Sequence, residues 1–144
     1  VKRVVPRADR RQRQMCIRGR WHVDHVHIRW IQSLIGPGCE FITNPDTGVD
    51  WSVVNGLFNN EDDDEDVVYA SVEDRNRALV DTDVANIYSA REQEAILLVG
   101  NRWNEFAKAK TTSPFLKPVV HKSPSDIPMW QGRVLLTQDV LVDE

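Results

Sequence analysis

Cysteine is scarce: Cys16 and Cys39 are the two in 144 residues, and neither lies in a Cys-x-x-Cys or Cys/His cluster. They offer one disulfide at most, and a chain of this size needs none, so free, partly buried thiols are expected. No apolar run approaches the roughly 20 residues of a membrane helix, and the leading segment is too basic and polar to contain the apolar middle of a signal peptide. The expected location is therefore inside a cell or a particle, not outside. Gly-x-Ser-x-Gly, the P-loop string and Gly-x-Gly-x-x-Gly are all missing, so no local signature marks a serine nucleophile, a phosphate cradle or a dinucleotide site.

What is present is one globular domain's worth of chain, 41% hydrophobic and 28% charged. Its charge is segregated. Residues 1–32 hold nine Lys/Arg against Asp9 and Asp24, a local +7, and the remainder is −11, which together give the chain's −4. Residues 1–14 carry Pro6 and no apolar periodicity, so they read as an extended basic arm ahead of a single β-rich domain at 15–144. Lys2, Arg3, Arg7, Arg10, Arg11, Arg13, Arg18 and Arg20 are its expected contacts with nucleic-acid phosphates, and such an arm also suits nuclear import. The plainer alternative pairs the arm with this chain's own acidic run, Glu61–Asp66.

Alternation of apolar residues predicts strands. Met15, Ile17, Trp21 and Val23 share one parity; Val26, Ile28 and Trp30 share the other, so a bulge near Asp24 in one long bent strand is expected. Gly36-Pro37-Gly38 and Asn44–Gly48 are turn chemistry around a short strand at Cys39–Thr43. Trp51–Phe58 fits one helical turn or a strand. Val67–Val72 and Ala78–Tyr88 read as paired strands around the polar turn Glu73–Asn76. The capping-box form Ser89-Ala90-Arg91-Glu92, with Ile96, Val99, Trp103 and Phe106 at helical spacing, predicts a helix over 91–110; a strand over Ala95–Trp103 competes with it. The Pro-rich stretch Thr111–Trp130 reads as a crossing loop and Arg133–Val142 as a closing strand. The expected class is mainly β, an antiparallel sandwich with a helix at 91–110, and α+β is the alternative.

Three of the four histidines fall within His22–His27. His25 and His27 project from one face of a strand, a spacing that chelates a divalent metal. With Gly19 they form a Gly-x5-His-x-His string that resembles the first motif of the cupin barrels, although Ile31 and Gln32 stand where that family has a Glu. The resemblance implies a metal-dependent enzyme using His25 and His27; His121 is a further candidate ligand. Alternatively, His22-x-Asp24 with His121 resembles the two-His-one-carboxylate triad of iron oxygenases, without a recognisable partner arginine. Solvent-facing histidines on a strand account for the same spacings without any metal or cofactor. Most of the five tryptophans belong in a core; some could stack on bases or fill a subunit interface.

The order of features resembles the coat protein of small circular single-stranded-DNA viruses, of geminivirus and genomovirus type. The residues that carry it are the arm up to Arg13, the strand Val26–Gln32, the segment Gly56–Glu61, and the spaced Asp74, Arg77, Val80, Asp83, Ile87 and Ser89 ahead of Trp103. The resemblance implies a non-enzymatic jelly-roll subunit of a virion that assembles with copies of itself and packages nucleic acid through its arm. The rival expectation is an adaptor protein of a phage or secretion assembly.

Overall fold

A computed structural model of the chain describes residues 19–59, 69–109, 115–124 and 131–140. The arm expected at 1–14, Arg18 and the acidic run Glu61–Asp66 lie outside the described residues.

The architecture is mainly β: two three-stranded antiparallel sheets with short helices. In the first sheet β1 (Ile28–Ile35) is central, flanked by β4 (Ala95–Val99) and β6 (Val134–Val140). Its registers put Ile31 opposite Ile96 and Thr137, and Arg29 opposite Leu98 and Asp139. Since alternate residues face one way, Arg29, Ile31 and Ser33 form the inner side of β1 and Trp30 and Leu34 the outer. In the second sheet β2 (Glu40–Ile42) lies between β3 (Ile87–Ser89) and β5 (His121–Lys122).

Ile31 and Leu98 of the first sheet meet Cys39 and Phe41 of the second, with Ala90, in one buried cluster. A second cluster joins Trp21, Val23, Ile42 and Val120 to Val54, Leu79 and Val80. It ties the helices to the sheets, because Val54 lies in α1 (Trp51–Asn59) and Leu79 in α2 (Val72–Leu79). Asp50 starts α1 by accepting the Ser52 and Val53 amides on its Oδ1. The third helix, α3 (Trp103–Ala109), follows β4 after a three-residue turn.

Several expectations are corrected. The polar run Glu73–Asn76 is no turn between strands but part of α2, because the Ser71 hydroxyl accepts the Asp74 N–H at 3.1 Å and Glu73 and Asp74 sit at the positive end of the helix. Of the strand expected over Ala78–Tyr88, only the end belongs to β3. The helix expected over 91–110 is β4 followed by α3, so the competing strand holds the first half; pairing of five residues of β4 with β1 outweighs the capping signal. The loop expected over 111–130 contains β5. The parity change at Asp24 is no bulge in one strand. It marks the point where the chain leaves the second sheet, which it joins through a bridge between His22 and His121, and enters the first as β1.

Candidate metal centre

Three elements converge on Asp24. His22 and His121 form a directly opposed antiparallel pair: each N–H donates to the other's carbonyl oxygen at 2.9 Å. Directly opposed residues put their side chains on one face, and the two imidazole centroids stand 4.3 Å apart. The facing residues Trp21, Val23 and Val120 enter the core and fix both backbones.

The second grip comes from α2. Asn76 accepts the Trp21 N–H on its Oδ1 at 3.0 Å and donates from Nδ2 to the Gly19 carbonyl at 2.7 Å. Its side chain thus pairs with the segment much as a neighbouring strand would. The third grip is the turn after β4, where Gly100, Asn101 and Arg102 donate their amides to the carbonyls of His27, Asp24 and Val26.

His22, Asp24 and His121 are 8%, 5% and 3% exposed, and each offers one ligand atom such that all three atoms lie within 4.8 Å of one another. The tautomers follow from the hydrogen bonds. His22 Nδ1 lies 2.8 Å from the Arg20 carbonyl and His121 Nδ1 3.1 Å from that of Val119. A carbonyl oxygen only accepts, so both Nδ1 atoms carry hydrogen, and both Nε2 atoms are directed at Asp24, 3.4 Å from its Oδ1 and Oδ2. A proton on Nε2 lets each imidazole donate to the carboxylate, and a cation would take the place of those protons. The donor set therefore fits a divalent ion, with the main-chain carbonyls in the supporting role that such histidines require.

The surroundings agree. Arg29 donates from NH1 to Asp24 Oδ2 at 2.9 Å and grips Asp139 through Nε and NH2 at 2.5 and 2.8 Å. Its hydrogen bond to Asp139 raises the guanidinium well above its ordinary range, aided by the Asp24 charge and opposed by burial, so it stays charged. One guanidinium is shared between two carboxylates, which fixes the Asp24 carboxylate in place. Burial alone would raise the Asp24 carboxyl, but hydrogen bonds and charge from His121 and His22 outweigh it and hold it well below the usual carboxylate range. Phe41 stacks against His121 with centroids 6.1 Å apart.

The fold thus brings together His22, Asp24 and His121 and leaves His25 and His27 out. His25 is exposed, while His27 is buried edge-on against Phe106. Arg20, expected on nucleic acid, has a buried Nε and lends its carbonyl to His22. Lys2, Arg3, Arg7, Arg10, Arg11, Arg13 and Arg18 lie outside the described residues. Sequence reasoning passed over Arg29 and Asn76, which support the cluster without belonging to any motif. Arg133 was also unassigned: it donates from Nε to the Pro37 carbonyl and from NH1 to Ser123 Oγ, and its NH2 reaches Cys39 Sγ at 3.1 Å.

Fold and site together define a β-rich protein with a buried two-histidine, one-carboxylate cluster. The chain belongs to the DUF1826 family, described as a protein of unknown function, whose model matches residues 1–139. No curated protein and no solved structure matches it. The family match overturns the resemblance to viral coat proteins, because it covers the residues that carried that likeness and no coat homologue is found. Among the described residues no helix is long and apolar enough to cross a membrane.

Proposed function

We propose that this chain is a mononuclear metal enzyme in which His22, Asp24 and His121 hold a first-row divalent ion, iron(II) foremost, for oxygen chemistry. The observation that carries the reading is the convergence of two Nε2 atoms and one carboxylate, all buried, with both Nδ1 atoms held by main-chain carbonyls. Three protein ligands leave coordination positions open, which distinguishes the centre from a closed structural site. When bound, such an ion supplies a place where dioxygen and substrate meet. The expectation of a non-enzymatic subunit without cofactor gives way to this proposal.

The chain's own residues would act as follows. Arg29 orients the Asp24 carboxylate and neutralises part of the charge beneath it. Arg133 is a bracing residue, its three nitrogens engaged by the Pro37 carbonyl, Ser123 Oγ and Cys39 Sγ. It ties the segment before β6 to Ser123, two residues past His121, and so braces the strand that carries that ligand. The His22 bridge adds a fourth segment beside β5, in the order 22, β5, β2, β3, and a double sheet with its site on the inner face of that edge supports a jelly-roll type.

Anaerobic titration of the purified chain with Fe(II) and Co(II) tests the proposal. One equivalent should bind, and His22→Ala, Asp24→Ala and His121→Ala should each weaken binding by more than about tenfold, whereas His25→Ala should not. Unchanged affinity after loss of both His22 and His121 would discard the assignment.

A further inference from the structure

A second set of side chains lies beside the triad and is used by nothing described so far. Arg20 precedes His22 by two positions, and alternate residues of extended chain face one way. Arg20, His22 and Asp24 therefore share a side while Trp21 and Val23 enter the core. The Arg20 Nε is buried and has no hydrogen-bond partner among the described residues. Arg75, from α2, reaches the same point of the chain, where its NH1 donates to the Trp21 carbonyl at 2.7 Å. Among the described residues neither guanidinium meets a carboxylate. Burial, and then the charge of Arg20, push the Arg75 guanidinium below its ordinary range. Two partly buried like charges without an anion repel each other and have lost solvation; an oxyanion between them removes both penalties.

We infer that Arg20 and Arg75 form the receptor for an oxyanion group of the substrate, a carboxylate or a phosphate, and so present the rest of that molecule to the His22, Asp24 and His121 cluster. The second half of this statement rests on the metal-enzyme reading; the first stands without it. Guanidinium forks match both oxyanions through paired hydrogen bonds. The anionic end would lie roughly 6–7 Å along the chain from His22. A small acidic substrate fits that span.

Isothermal titration calorimetry gives a readout independent of turnover. The metal-free chain is titrated with inorganic phosphate and, separately, with succinate at constant ionic strength. A saturable response to either supports the receptor and tells a phosphate ester from a carboxylic acid. Arg20→Gln and Arg75→Lys should weaken it roughly ten- to hundredfold, while Co(II) affinity is retained. Arg20→Lys, which keeps the charge but loses the fork, serves if Arg20→Gln does not fold, and it should also weaken binding. No saturable response to either anion, or equal affinity in the variants, overturns the inference. Loss of Co(II) binding in the parent chain would instead count against the metal centre alone.

Discussion

Gly100 lies so close to the main chain of Val26 that a Cβ at this position would come within 2.1 Å of the Val26 carbonyl oxygen and 2.7 Å of that of Asp24. Backbone, not a yielding side chain, occupies the space. The approach lets three consecutive amides, from Gly100 to Arg102, grip the 24–27 turn that carries Asp24. Gly100→Ala should therefore cost roughly 1–3 kcal/mol in urea unfolding, as overpacking does, and should weaken Co(II) binding by displacing Asp24. Parental stability and affinity in that variant would show that the turn can move without disturbing the cluster.

Acid stability follows from Asp24. A carboxyl depressed in the folded state contributes stability that is fully present above its unfolded pKa, about 3.9, and is lost as pH falls toward the folded value. The metal-free protein should lose stability steeply below about pH 4, and Asp24→Asn should remove much of that slope while abolishing metal binding. Urea unfolding across that pH range measures it. Equal slopes in the two proteins would assign the acid sensitivity to other groups.

The β class was legible because β1, β2 and β6 alternate or are bounded by turn residues, signals that act over a few neighbours. What misled was also local. Ser89-Ala90-Arg91-Glu92 has a capping-box form, yet Ile96 and Leu98 are needed by Ile31 and Phe41 from distant parts of the chain, and no spacing within 91–110 records that demand. The metal cluster was half legible. His22-x-Asp24 is written in the sequence, but its third member stands 97 positions beyond Asp24 and is chosen by the pairing of His22 with His121. His25-x-His27 has an equally good spacing and fails because the chain turns between the sheets there. Arg29 and Asn76 carry no motif because their work depends only on position.

Cys39 gives a chemical test of the packing. Burial pushes its thiol up, and this outweighs the Arg133 guanidinium near its Sγ, which pulls the thiol down. In a Cys16→Ser background, Cys39 should react with a disulfide reagent at mildly alkaline pH more than about tenfold slower than a small thiol, and at full rate in denaturant. A native rate matching the unfolded one would mean that the cluster of Ile31, Phe41 and Leu98 opens readily around it.

Asn76 tests whether the histidine is held from behind. It touches no ligand atom, yet its amide takes both the Trp21 N–H and the Gly19 carbonyl, one residue from His22 on the near side and three on the far. Asn76→Ala leaves two main-chain groups without partners, a loss of roughly 1–3 kcal/mol for each one kept from water. Metal affinity should fall with it, by about ten- to hundredfold, the usual effect of removing an outer support. Asn76→Asp keeps the acceptor for Trp21 and loses the donor for Gly19, so it should lie between parent and Ala in both measurements. If stability falls in Asn76→Ala while Co(II) binds as tightly as before, the bridge to His121 and the burial of Trp21 and Val23 hold His22 by themselves.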